Sequence, residues 1–353
     1  MILTRSACRA ARFLFRLPNE VLTAIVHELS TADLATVCRT SQLLRNIATP
    51  WLYRCVRLTT GSRLRSFAMS LQQSLYLSLP HLVHELAVPK FTDVHQVGRR
   101  LSVETVEEIN VALCLMTSLR TLALLARSMR YAHLLAHGHF PHLVEFHVLD
   151  ELPARDLPTL KSFLDRHNNL TQLSVIVPPH LRYPAPIHLP KLRGFDGPLA
   201  LLSSLDLNDI SLTNVSVVSY PLGMNEAHAA LAKLRHLETL TTVEIVGVYN
   251  VEERSFVNVI ATHLPHIHNL ELCHWPESGS LISRNEARWI ATSLEKFDRL
   301  RTLDFGRIES FPEDDRSMVL QWYAACKSLT SVVLNDRIWR LNNEDWILVS
   351  EDV

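Results

Sequence analysis

The chain has 353 residues, 47% hydrophobic and 20% charged, with a net charge of -1. This length exceeds one small core and fits either two domains or a small domain followed by an extended array; the apolar content excludes a disordered chain. The near-neutral balance provides no global attraction to nucleic acid or to an anionic membrane.

Glycine is scarce, at 9 residues, and neither GxGxxG nor GxxxxGK(S/T) occurs. Only glycine lets the backbone approach a phosphate closely, so a nucleotide-binding enzyme is disfavoured. The six cysteines (Cys8, Cys38, Cys55, Cys114, Cys273, Cys326) are scattered and never form CxxC. Such a pattern belongs to a reduced intracellular protein, with neither a disulfide framework nor a zinc cage. A cytoplasmic or nuclear location is expected, and no run reaches the ~18 apolar residues of a membrane span.

Residues 1–16 form a basic N-terminal leader in which Arg5, Arg9, Arg12 and Arg16 fall at helical spacing with no acid between them. A mitochondrial presequence has this look; the plainer reading is a short basic leader abutting the first helix. Leu17-Pro18 then opens a helical module over 17–60, since proline suits a first helical turn. Val21, Leu22, Ile25, Val26 and Leu29 recur at helical spacing as one apolar stripe. Ser30 and Asp33 form a capping box for a second helix, with Leu34, Val37 and Cys38 on its apolar face. Ser41 starts a third, carrying Leu44, Ile47 and Ala48, and Pro50 is expected to stop it. Trp51-Leu52-Tyr53 follows, and then an extended stretch Cys55-Val56-Arg57-Leu58. Three helices this short cannot bury all their apolar groups among themselves, so the leftover surface either caps the next domain or meets a partner.

The ordered set Leu17-Pro18-x-Glu20, Ile25, Leu29, Asp33-Leu34, Cys38 and Arg45, followed by Leu52 to Leu58, resembles an F-box in the form common in fungal proteins. Leu44 departs from the aromatic usual there, although leucine fills much the same volume. The resemblance implies docking onto a Skp-family adaptor and, through it, onto a cullin-based ubiquitin ligase. Carried over residue by residue, it assigns adaptor binding, as contact or direct support, to Leu17, Pro18, Ile25, Leu29, Leu34 and Val37.

From about residue 75 a pattern recurs: apolar, two spacers, apolar, one spacer, apolar. It reads Val83-Leu86-Val88, Leu119-Leu122-Leu124, Leu143-Phe146-Val148, Leu170-Leu173-Val175, Leu192-Phe195, Leu202-Leu205-Leu207, Leu212-Val215-Val217, Leu240-Val243-Ile245, Ile267-Leu270-Leu272, Leu300-Leu303-Phe305 and Leu329-Val332-Leu334. The last two apolar positions alternate as in a strand. Helical segments such as 226–237 and 286–297 lie between. Starts fall roughly 20 to 36 residues apart, except that Leu202 stands 10 residues from Leu192 and from Leu212. This is near the period of leucine-rich repeats, although the consensus Asn or Cys after the strand is mostly missing. The expected fold is therefore α/β: a small three-helix F-box followed, over 61–336, by an irregular leucine-rich-repeat-like solenoid, with an ordinary parallel α/β domain as the alternative. Residues 337–353, with alternating aromatic and polar positions, are expected to form a terminal strand or cap.

Histidines cluster at His133, His137, His139, His142 and His147, and again at His263, His266, His268 and His274. His133 and His137 would share a helix face, a possible zinc arrangement, but no HExxH accompanies them. No GxSxG elbow occurs, and no recognised nucleic-acid module accompanies the arginines. The Pro-rich run 178–186 reads as a loop available for target contact. No catalytic set, cofactor site or metal site is assigned. The expected function is a non-enzymatic receptor that docks an adaptor and holds a protein target for ubiquitination. The alternatives are a leucine-rich interaction scaffold without a ligase role and a hydrolase or metal enzyme built on the histidines.

Overall fold

The computed structural model describes residues 17–73, 78–88, 103–124, 132–148, 152–177, 186–208, 210–218, 224–246, 253–273, 284–305 and 312–350. The chain divides into two compact units, Met1–Leu143 and Val144–Val353. The leader 1–16, most of the Pro-rich run and His274 lie outside the described residues.

In the first unit, α1 (Asn19–His27) begins at Pro18, whose carbonyl accepts from the Val21 and Leu22 amides. Ser30 caps α2 (Thr31–Val37): its hydroxyl accepts from the Asp33 amide at 3.3 Å and donates to the Asp33 carboxylate at 2.7 Å. The expected capping pair is thus present, closed by a hydroxyl–carboxylate bond. Ser41 caps α3 (Gln42–Arg54) by accepting from the Leu44 amide at 3.2 Å. Pro50 does not stop this helix, which runs on to Arg54 with the proline inside it. A proline interrupts a helix by removing one backbone donor and crowding the preceding turn. Here Trp51 and Leu52 pack onto the core formed by Val26, Leu34 and Ala48, and this packing holds the last turn in place.

The chain then enters β1 (Cys55–Arg57), which pairs in parallel with β2 (Glu85–Val88), itself parallel to β3 (Thr121–Leu124). Parallel neighbours need long crossovers. These contain α4 (Gly61–Gln73), α5 (Leu79–Leu82) and α6 (Val103–Cys114); α7 (Ala132–His137) follows β3. Leu64, Leu71, Val83, Leu113, Leu119 and Leu122 are fully buried and form this part of the core.

In the second unit the elements run β4 (Glu145–Val148), a 3-10 turn with α8 (Leu157–Arg166), β5 (Gln172–Val175), β6 (Gly194–Pro198), α9 (Leu199–Ser204), β7 (Asn214–Val218), α10 (Met224–Leu234), β8 (Thr242–Val246), α11 (Glu253–His263), β9 (Asn269–Cys273), α12 (Arg284–Leu294), β10 (Thr302–Asp304), α13 (Pro312–Ala325), β11 (Ser331–Leu334), β12 (Arg337–Asn342) and β13 (Asp345–Ser350). Strand order in the open sheet follows chain order. Strands β4 to β11 are parallel, and the last two turn antiparallel.

The recurring apolar triplets coincide with this ladder. Leu240, Val243 and Ile245 are at most 1% exposed, as are Leu300, Leu303, Phe305, Leu329, Val332 and Leu334. Alternate strand positions remain partly exposed, so one face of the sheet is core and the other is open. One triplet departs from the pattern. Leu202-Leu205-Leu207 is not a named strand: Leu202 ends in α9, Leu205 makes an isolated bridge to Ile187, and Leu207 is only half-buried. A three-residue spacing also suits one face of a helix, and β6 runs directly into α9 through Pro198.

The terminal segment, expected to supply a strand or cap, forms two strands joined by tight turns. Asn335 and Asp336 take φ of 54° and 61°, and Asn343 and Glu344 take 49° and 72°. Two consecutive left-handed residues are the signature of the turn that matches strand twist in a hairpin. Glu344 occupies a position that glycine adopts without strain, and a left-handed L-residue costs about 1–2 kcal/mol. Glu344→Gly is therefore expected to raise the urea midpoint, by about 0.5–1 kcal/mol of stability once the extra flexibility of the unfolded chain is subtracted. Trp339 and Trp346, at 7% and 2% exposure, anchor the hairpin to the core. Trp346 meets Tyr323 of α13 edge-on at 5.7 Å between ring centroids.

Candidate functional site

Two surfaces carry candidate functional residues, one in each unit. In the helical module, the apolar stripe of α1 is split between two roles. Leu22 and Val26 are each 2% exposed and point into the core, whereas Val21 and Ile25, one helical turn apart, are 42% and 44% exposed. The five apolar residues span more of the helix circumference than two short partner helices can cover. Leu34, at 6% exposure, belongs to the core cluster, and Leu29 and Val37 pack against it while partly exposed. Leu17 is half-buried and Pro18 is exposed. Of the six residues assigned to adaptor binding, Pro18 and Ile25 therefore offer the most surface, and Leu34 offers almost none.

Val21 is the neighbour that the assignment omitted. Its spacing from Ile25 was the available signal, but burial alone decides which part of a stripe faces out. The module is braced by Trp51, which takes His27 edge-on at 4.6 Å and has the Arg54 guanidinium 5.3 Å from its ring centroid. The Arg45 Nε donates to the Cys38 carbonyl at 3.0 Å and so closes the end of α2.

In the second unit, the parallel register gathers equivalent strand positions into rows on the open face. One row runs Gln172, Gly194, Asn214, Thr242 and Asn269; the next runs His147, Ser174, Asp196, Ser216, Glu244 and Glu271. Where the rows cross β6, a trough of about 320 Å³ opens. Gly194 forms its floor: a Cβ there would stand 1.7 Å from the Gln172 Oε1, so the Gln172 carboxamide occupies the space that a side chain would take. Ser174, 5% exposed, donates to the Asp196 Oδ2 at 2.6 Å. No sequence motif announces this site, because it depends on register between strands some twenty to thirty residues apart.

The histidines disperse. His133 and His137 do share a face of α7, with ring centroids 4.5 Å apart, and His266 Nε2 lies 3.1 Å from the Leu237 carbonyl. Among the described residues no group of three or more His, Cys, Asp or Glu could hold a metal ion. Instead, His228 of α10 and His263 of α11 form a pair, Nδ1 to Nε2 at 3.1 Å, across 35 residues of sequence. Burial holds the His263 imidazole below its ordinary pKa, and His228 and Arg235 act in the same direction. A histidine with a depressed folded pKa binds its proton more readily when unfolded, so stability falls as pH drops from about 6.5 through the lowered value. Replacing His263 with glutamine is expected to flatten this acid-side loss, measured as urea midpoints across that window.

No described helix is long and apolar enough to cross a membrane. Residues 14–59 match the F-box-like family, which places an F-box-like domain over the helical module. The chain matches no curated protein.

Proposed function

We propose that this chain is a non-enzymatic substrate-recognition subunit of an SCF-type E3 ubiquitin ligase. In this reading the F-box-like domain binds a Skp-family adaptor and, through it, a cullin, while the strand-and-helix array holds a protein target. The observation that carries the proposal is the F-box-like match over 14–59, on helices whose core is filled while Val21 and Ile25 stay exposed. Exposed apolar residues on a small, otherwise packed module mark a partner surface. Leu17, Pro18, Ile25, Leu29, Leu34 and Val37 are its contacts or supports, with Leu34 acting as a support.

The remainder, 61–336, is read as an irregular leucine-rich-repeat-like solenoid closed by the segment 337–353. Support comes from the sequential strand order, the buried apolar triplets and the helices between strands. Stacked units of this kind expose one continuous strand-lined surface suited to a macromolecular target. The receptor supplies proximity and orientation, and the ligase partners supply the chemistry. The working location is the cytoplasm or nucleus, where those partners act. The test is retention of a purified Skp-family adaptor by the full-length chain. Absence of retention would leave an interaction scaffold with no ligase role.

A further inference from the structure

We propose that the trough over Gly194 receives a lysine or arginine side chain of the target, presented by an extended segment that crosses strands β5 to β8. The inference rests on reading the chain as a target receptor and names what the receptor recognises.

Three features converge on this ligand. The first is shape. The volume, about 320 Å³, falls at the small end of ligand sites, which span about 300–1,000 Å³, and so suits one long side chain. The floor is the Gly194 backbone with the Gln172 carboxamide lying over it, so a side chain that enters beside Asn214 meets that carboxamide.

The second is hydrogen-bonding chemistry. Gln172, Asn214, Ser216 and Thr242 line the trough and offer both donors and acceptors. A peptide backbone also presents both, whereas an apolar surface would leave these groups unpaired where they are desolvated.

The third is charge. Asp196 and Glu244 line the trough together with His147, and no lysine or arginine is among its described lining residues. The Ser174 hydroxyl, bonded to the Asp196 Oδ2, fixes that carboxylate before a ligand arrives. A held carboxylate loses little side-chain entropy on binding. A cationic side chain gains a charge-assisted hydrogen bond here, and an acidic one is repelled.

Fluorescence anisotropy with the full-length chain tests the idea, using short labelled Ala/Ser peptides that carry one central Arg, Lys, Leu or Glu. The Arg and Lys peptides are expected to bind at least ~10-fold tighter than the other two, which corresponds to about 1.4 kcal/mol. The double replacement Asp196→Asn with Glu244→Gln should remove the preference. Gly194→Val, which fills the floor and displaces Gln172, should weaken the Arg and Lys peptides while the melting temperature holds. Equal binding of all four peptides, no Arg or Lys binding at about 1 mM, or a preference that survives the double replacement would each overturn the proposal. Adaptor retention, measured on the same proteins, separates the two readings. If it is kept while the Arg preference is missing, only this inference falls. If it is lost while the preference stands, the receptor reading falls.

Discussion

Replacing Ile25 with aspartate is expected to abolish adaptor retention while leaving the helical module folded; the same replacement at Leu34 is expected to unfold it. Both residues are apolar and lie on adjacent helices of the F-box-like domain, so hydropathy does not separate them. Burial does: Ile25 is 44% exposed and Leu34 is 6% exposed. Burying an aliphatic side chain against a partner contributes about 1.5–3 kcal/mol. Placing a carboxylate in that interface forfeits the gain and adds the cost of desolvating a charge. The loss amounts to roughly 10- to 100-fold or more in affinity. Nothing in the free module opposes the change, because position 25 already faces solvent.

At Leu34 the ledger is internal. The side chain contacts a core of Val26 and Ala48 flanked by Leu29, Val37, Cys38, Ile47, Trp51 and Leu52. Losing it to aspartate leaves a cavity and a buried unpaired charge, and each costs about 3–5 kcal/mol. A domain of this size has little stability in reserve. Adaptor pull-down paired with circular-dichroism melting distinguishes the outcomes. Ile25→Asp should lose the adaptor with an unchanged melt, and Leu34→Asp should lose both. Full retention by Ile25→Asp would remove α1 from the interface. Val21→Asp should behave as Ile25→Asp does, since it occupies the same exposed face.

What could be read from the sequence follows the range of the interaction that decides each feature. Apolar triplets such as Leu240-Val243-Ile245 mark strand positions because both the strand period and the preceding step lie within six residues. The caps at Ser30 and Ser41 are equally local. The misread Leu202-Leu205-Leu207 shows where local pattern fails, since its spacing is shared by strand approach and helix face. The helix through Pro50 continues because of tertiary packing by Trp51 and Leu52, which no propensity encodes. The division of the α1 stripe, the trough at Gly194 and the His228–His263 pair all depend on which segments become neighbours. For these, the sequence lists the components without their arrangement.

The second large effect is expected at Asp315, whose replacement by alanine should cost about 3 kcal/mol or more of stability. This carboxylate lies on α13 and is fully buried. The Asn335 Nδ2 donates to its Oδ1 at 2.9 Å, and the Arg337 Nη1 stands 3.5 Å from its Oδ2. Asn335 opens the left-handed turn between β11 and β12, and Arg337 begins β12. One side chain thus ties α13 to the turn that reverses the sheet from parallel to antiparallel. The partners differ in what they would lose. Once Asp315 is removed, Arg337, which keeps 25% of its side-chain surface, can turn its guanidinium toward water. Arg337→Ala instead strands the fully buried Asp315 carboxylate without its cation, so it should cost at least as much as Asp315→Ala. Asn335, already held at a φ of 54°, would lose a bond that helps fix the turn. Asp315→Asn should recover part of the loss by keeping an acceptor for Asn335, although the attraction to Arg337 is gone. Urea unfolding followed by tryptophan fluorescence suits this comparison, because Trp322, Trp339 and Trp346 are all buried in this region. In the double variant Asp315→Ala/Arg337→Ala the two costs should not add, since each change removes the same ion pair. Additive losses would mean that Asp315 stabilises the hairpin through Asn335 and the turn, with Arg337 acting only as a neighbour.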